Sequence, residues 1–318
     1  MNLTRGLVST LLLAAAAFAQ SGTGSISGTV ADPNGAAVPR AKVQLQEKAT
    51  GRIFETTTTE AGLYVMPALP VGVYTITVEQ AGFKKSVQTD IEVRVALRET
   101  VNVRLDIGDV QQSVEIKAEV QLLETNNAER GQNVSPQFLN TLPLFNGSLR
   151  NAEGFVGYMP GVNSAGEMSI NGSIGRGREV LIDGASLTIP ESGGTVFNFP
   201  GIEAFNEFKL VTATFNAEYG RLGGGIESMV TKSGSNAVHG AAFLNIKRDI
   251  FDAAGWGVNQ NRSNPPGYRP KERFNEEGGA AGGPVWIPKI YDGRNKSFFF
   301  FTYAKICLLY TSPSPRDS

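Results

Sequence analysis

The chain has 318 residues, 41% apolar and 19% charged, enough to bury more than one core and too apolar for a disordered protein. A formal net charge of −1 leaves no electrostatic footprint for nucleic acid, and basic doublets such as Lys84-Lys85 read as solvated faces. With a single histidine and a single cysteine, neither a zinc centre nor a disulfide framework can be assembled, and no cofactor or metal is expected.

The first residues, "MNLTRGLVSTLLLAAAAFAQ", hold one basic residue, Arg5, an apolar core from Leu7 to Phe18, and small residues at Ala17 and Ala19. This is the pattern of a secretory signal over residues 1–19, cleaved between Ala19 and Gln20. A membrane anchor is the alternative, but a core of about a dozen residues is short of the roughly 20 that span a bilayer. Since no later window is apolar enough for a membrane helix, a membrane-embedded mature chain must be a closed β-barrel.

Residues 24–107 read as a small β-sandwich of about seven short strands. "SISGTVAD" alternates and turns at Asp32-Pro33-Asn34-Gly35, "KVQLQE" puts Val43 and Leu45 on one face, and "VYTITVEQ" offers Tyr74, Ile76 and Val78 as an inward face. Alternation returns through Ile91, Val93 and Val95, then through Val101, Val103 and Leu105. The run Thr56 to Thr59 is an ordinary strand or loop, with no base to activate its hydroxyls. The segments "SGTVADPNGAAVPRAKVQL" and "EAGLYVMPALPVGVYTITVEQAGF" resemble the carboxypeptidase regulatory-like domain, a transthyretin-like accessory sandwich; the resemblance implies a fold without catalytic residues.

Residues 108–132 loosen into Gln, Asn, Glu and Ala and read as a linker. Inside it, "SVEIKAEVQLL" alternates briefly, and Ser113, Val114, Glu115, Ile116, Lys117 and Ala118 form a candidate docking strand that would add to a partner's sheet edge. The stretch resembles a TonB box; a last strand of the sandwich explains the same pattern.

Residues 133–236 mix short helices and strands, a small α/β domain. Ser135 is the N-cap of a helix over "SPQFLNTLP", and "SLRNAEGFVGYMPGV" holds a second helix ending near Met159. Strands are expected next at "EMSINGS", at "REVLIDGASL" with an Asp183-Gly184 turn, at "AFNEFKLVTA" and at "GGIESMVTKSG". The glycines of "NGSIGRGRE" lack phosphate-cradle spacing, and Arg176 and Arg178 are expected on a loop. In residues 237–306, strands are expected at "AVHGAAFLNIKRD", "EEGGAAGGPVWI" and "KSFFFFTYA", with His239 a strand residue rather than a ligand, and Trp256, Tyr268 and Trp286 as candidates for an interfacial aromatic girdle. Residues 307–318 break the pattern: "CLLYTSPSPRD" resembles a translated sequencing adapter, so Cys307 to Ser318 read as a non-native tail on a truncated chain, a flexible C-terminus being the other reading.

The order of "TLPLFNGSLRN", "GYMPGV", "SINGS", "VLIDGASLT", "EYGRLGGGIESMVTKSGSNAVHGAAF" and "GGPVWIPKIYDGRNKSFFFF" resembles the plug and first barrel strands of TonB-dependent receptors of the Oar-like group. The expected fold class is therefore mainly β: signal peptide, immunoglobulin/transthyretin-like sandwich, small α/β plug, and the first strands of an incomplete transmembrane β-barrel. The resemblance implies uptake of an unidentified solute, the periplasmic TonB C-terminal domain as partner, and contact with outer-membrane lipid and barrel-assembly machinery. It departs at Asn171-Gly172, where siderophore transporters often carry Arg-Gly, which weakens inference from that class. Arg221, in Tyr219-Gly220-Arg221, is expected to face acidic residues of the barrel wall; a surface pair with Glu218 is the local alternative. Among Arg176, Arg178 and their loop, the resemblance implies a ligand-facing surface. A surface or adhesion protein with a static plug is the alternative function.

Overall fold

The computed structural model describes residues 22–108, 113–117, 129–134, 138, 141, 150, 153–164, 168–189, 192, 194, 200–215, 219, 223–251 and 272–310. Eight strands build the sandwich proper: β1 (Thr23–Ala31), β2 (Lys42–Glu47), β3 (Ile53–Thr57), β4 (Leu63–Pro70), β5 (Gly72–Glu79), β6 (Lys85–Val93), β7 (Arg98–Thr100) and β8 (Val103–Arg104). One sheet runs β4-β1-β7, with β8 also on β1. The facing sheet runs β3-β2-β5-β6 and ends on a ninth strand, β9 (Ser113–Lys117). Strict alternation in β1, β2 and β5 turns Ile26, Val30, Val43, Leu45, Tyr74, Ile76 and Val78 into one fully buried layer. Each such side chain contributes roughly 1.5–3 kcal/mol relative to an exposed one. Ile91, Val93, Val95, Val101, Val103 and Leu105 are buried as their alternation requires. Buried polar ends find partners: the Tyr64 hydroxyl donates to the Val101 carbonyl at 2.6 Å, and Tyr74 to that of Pro70 at 2.8 Å.

The segment Ser113–Lys117 is not without a neighbour. It lies parallel to β6, Lys85 opposite Ser113 through Thr89 opposite Lys117. A short alternating strand satisfies its backbone groups on whichever sheet edge is nearest, and here that edge belongs to its own chain.

A central α/β unit comes next. Its strands are β10 (Arg130–Val134), β11 (Val162–Asn163), β12 (Ser169–Ile170), β13 (Arg178–Ile182), β14 (Ala185–Ser186), β15 (Phe205–Ala213) and β16 (Gly225–Thr231), with one helical turn, α1 (Glu153–Val156). The main sheet has the order β10-β15-β16-β13-β14, and β11 pairs with β12 separately. Thus the sheet begins at Arg130, inside the stretch expected as linker. Asp183 and Gly184, both at positive φ (50° and 82°), make the tight turn between β13 and β14 that the Asp-Gly pair calls for. Phe205, Phe208, Leu210, Val180 and Met229 fill the core with Phe155 and Val156 of α1. Of the helix expected around Ser135, only Phe138 and Thr141 lie among the described residues, and both are helical.

The last sheet is a three-stranded antiparallel ribbon, β17 (His239–Arg248), β18 (Glu272–Pro284) and β21 (Phe298–Tyr310), in the order β17-β18-β21. A small hairpin, β19 (Trp286–Ile287) with β20 (Tyr291–Asp292), sits between the last two strands. Trp286 and Ile287 were expected within the second long strand; that ladder ends at Pro284, which has no N–H to donate. The third strand also passes the expected break at Ile306, pairing through Tyr310 with Glu272. A ladder is built by backbone groups, so it continues until the pairing partner runs out, whatever the side chains. One face of the ribbon carries Leu244, Ile246, Phe299, Phe301 and Tyr303, all exposed, and the other carries Phe243, Asn245, Phe274 and Glu276. That outward face also carries the exposed pair Lys305–Glu277; apart from it, apolar-out and mixed-in alternation of this kind suits strands with lipid on one side.

Candidate functional site

The inner face of the ribbon meets the central unit at Arg150. Its Nε donates to Glu276 Oε2 at 2.8 Å, and its own backbone N–H donates to Glu276 Oε1 at 3.1 Å. Asn245, directly across from Glu276 in the β17–β18 register, adds a bond from Nδ2 to Oε2 at 2.9 Å. The guanidinium lies 5.8 Å from the centre of the Phe243 ring, one inward position further along β17. Both charged side chains are buried, 8% and 2% exposed. The carbonyl of Arg150 in turn accepts from Ile202 N at 2.9 Å, which ties the contact to the turn preceding β15. A carboxylate bound by three donors, one of them the guanidinium of its partner, is a buried ion pair with both oxygens satisfied, the form in which such a pair holds two elements in register.

Arg150 was not singled out from the sequence, and neither was Glu276. The only signal was a carboxylate at an inward position of an alternating strand, on the same face as Phe274. Arg221 and Glu218, the pair the sequence pointed to for this role, lie outside the described residues, as do Ala118, Ala19, Gln20, Trp256 and Tyr268. Trp286 is exposed on β19, and His239 opens β17 with Nδ1 2.9 Å from the Ala237 carbonyl. Among the described residues no group of three His, Cys, Asp or Glu could hold a metal, and no helix is long and apolar enough to cross a membrane.

Arg176 and Arg178 were expected together on a loop, and the structure separates them. Arg176 is exposed in a turn, at φ 64°. Arg178 is the first residue of β13 and points into the unit, where it pairs with Glu153 of α1, approaches Glu227 of β16 at 3.0 Å, and donates to the Met168 sulfur at 2.7 Å. Arg178 is therefore a strand residue, beside one buried and one half-buried carboxylate, and not the loop residue expected. Glu227 itself is completely buried in a central strand. Its contact with Arg178 is electrostatic and poorly aligned, so both oxygens lack a hydrogen-bond partner among the described residues.

Burial therefore pushes the Glu227 carboxyl from its ordinary 4.5 up to about 7, against the pull of Arg178 and with a small push from Glu153. Between those two values the folded chain keeps a proton that the unfolded chain has lost. Stability contributed by this site is thus full below about pH 4.5, falls as pH rises, and is flat above about pH 7. The expected result is that Glu227→Gln removes that slope, worth roughly 3 kcal/mol at about 1.4 kcal/mol per pKa unit. Thermal unfolding of both proteins at pH 5 and pH 8 measures it: the native chain loses more stability between the two than the variant, which keeps the smaller slope of Glu207, a carboxyl that burial raises to about 6.

The three-part arrangement has counterparts in known proteins. Residues 25–106 match the carboxypeptidase regulatory-like domain, and residues 230–313 match an outer membrane beta barrel domain. The TonB-dependent transporter Oar of Myxococcus xanthus is 29% identical over 289 residues, which cover 88% of this chain and 27% of that protein. The chain is similar to that transporter over most of its own length. It spans about a quarter of that relative's length. The barrel match and the relative together make this chain an outer-membrane protein, and the relative is a transporter rather than an enzyme. Among solved structures, the siderophore receptor PirA from Acinetobacter baumannii is 20% identical, with a TM-score of 0.36, over 49% of this chain and 22% of that one. Catechol 1,2-dioxygenase from Acinetobacter sp. ADP1 is 13% identical, with a TM-score of 0.24, over 32% of this chain and 60% of that one. Likeness at this level carries no argument about activity.

Proposed function

We propose that this chain contributes the N-terminal sandwich, the plug and the first barrel strands of an Oar-like receptor that takes up an unidentified solute, with energy supplied by the inner-membrane TonB complex. The carrying observation is the seal between the central unit and the inner face of the barrel ribbon at Arg150 and Glu276, as a plug held in a barrel requires. In this reading the sandwich lies in the periplasm, Leu244, Ile246, Phe299, Phe301 and Tyr303 face outer-membrane lipid after insertion by the barrel-assembly machinery, and Ser113 to Ala118 dock the TonB C-terminal domain. The outward edge of β9 supports the last point, because β9 is the terminal strand of its sheet order.

One observation favours the static alternative, a surface or adhesion protein. Ser113–Lys117 is already paired with β6, so docking has to add to its outer edge or displace it. A proline at Ile116 separates the readings, since it removes a main-chain donor. In the full-length protein, Ile116→Pro is expected to abolish both solute uptake and crosslinking of single cysteines at Val114 to Lys117 to the TonB C-terminal domain. Uptake that survives the proline would sink the docking role and leave the static plug.

A further inference from the structure

Two loops of the sandwich touch two different bodies. The turn between β2 and β3 reaches the connector from the central unit into the barrel: Asn236 N donates to the Ala49 carbonyl at 2.9 Å. Asn236 and Asn295, the latter in the turn before β21, bind each other reciprocally, Nδ2 to Oδ1 at 2.7 Å and N to Oδ1 at 2.8 Å. Gly51 packs onto that amide pair so closely that a Cβ there would lie 2.4 Å from Asn295 Oδ1. On the other side, the loop between β6 and β7 reaches the central sheet. Val95 N donates to Glu207 Oε2 at 2.8 Å, and Lys209 Nζ donates to the Ala96 carbonyl at 2.9 Å. Lys209 also pairs with Glu129, both groups buried at 5% and 3% exposure, so the loop is anchored on a formed ion pair and not on a mobile surface lysine. Val95 and Leu97 are themselves buried.

These contacts bear on different elements in a way that simple tethering does not require. Glu207 and Lys209 lie on β15, the strand next to the central β16, whereas Asn236 and Asn295 belong to the approach to β17 and β21. A body bonded to both opposes any movement of one relative to the other. We propose that the sandwich is a clamp: docked at once on β15 and on the barrel rim, it holds the plug in place, and the plug gains mobility only when the sandwich lifts. The clamp rests on the plug-and-barrel reading but needs neither TonB nor a solute, so its test is independent of transport.

That test is a cysteine pair at Ala49 and Asn236 in the full-length protein, which by the reading of residues 307–318 as a non-native tail does not carry Cys307, in outer-membrane vesicles without TonB. Reduced, the pair lacks the Asn236–Asn295 amide bonds and is a loosened clamp; oxidised, it is a locked one. Hydrogen exchange of the Phe205–Ala213 amides is expected to run at least about tenfold faster in the reduced form than in the unsubstituted protein, as for the two amide hydrogen bonds lost, and slower than native in the oxidised form. Exchange within β5 should stay unchanged in both, showing that the sandwich remains folded. If β5 also loses protection in the reduced form, Asn295→Ala provides the loosened state instead. Equal β15 exchange in the loosened, locked and native proteins would overturn the clamp and leave the sandwich a passive appendage.

Discussion

On the proposed plug-and-barrel reading, Arg150→Ala in the full-length protein is expected to weaken the seat of the central unit by roughly 3–5 kcal/mol and to let small hydrophilic antibiotics leak through the barrel. The size of the effect is set by the group that stays behind. Glu276 is 2% exposed, and without the guanidinium its charge is left with only Asn245 and a backbone N–H. Removing one partner of a buried pair strands the other, whereas removing both replaces a desolvated pair with apolar contact. Arg150→Met combined with Glu276→Met is therefore expected to recover most of the loss, Phe243 and Phe274 already lining that face. The exposed pair Arg40–Glu60, with side chains 81% and 76% accessible, is the control. Its removal should change nothing measurable in permeability. Antibiotic sensitivity and denaturant unfolding of the plug read the result; a single variant as silent as Arg40→Ala would refute the seal.

The other large effect is expected at Gly28→Ala. Gly28 sits in the middle of β1 with its absent side chain aimed at the facing segment, and a Cβ would lie 1.8 Å from the Val101 carbonyl oxygen and 3.0 Å from the Tyr64 ring. Val101 cannot retreat. Its N–H is bonded to the Ser27 carbonyl at 2.9 Å, and its oxygen accepts the buried Tyr64 hydroxyl. The obstacle is backbone held on both sides, so the cost falls at or above the upper end of overpacking, about 3 kcal/mol or more. Tyr64→Phe keeps the ring and loses only the hydrogen bond, about 1 kcal/mol. Limited proteolysis of the full chain should find the sandwich open in the glycine variant and closed in the tyrosine variant.

Where one face of a strand is buried and the other is wet, the sequence by itself determined the structure. Val43 and Leu45, Tyr74 to Val78, and Ile91 to Val95 alternate because the pleat has a period of two, and the core they form can be read off directly. The same reasoning placed β17 and β21, most of whose outer positions between Ala242 and Ile246 and between Phe299 and Tyr303 are apolar. In β16 the pattern fades: Gly225 to Val230 are all buried, because both faces of the central strand are covered, and Glu227 gives no sign of its depth. The alternation of Ser113–Lys117 is equally compatible with a free strand and a paired one, since pairing is made by backbone groups that every residue shares. Arg150 and Glu276 stand 126 positions apart, and a charge in one segment, among the four that β18 carries, says nothing about the other. Only the tertiary structure decided that they meet, because burying two opposite charges is favourable only in one geometry, with every donor and acceptor of the pair in place.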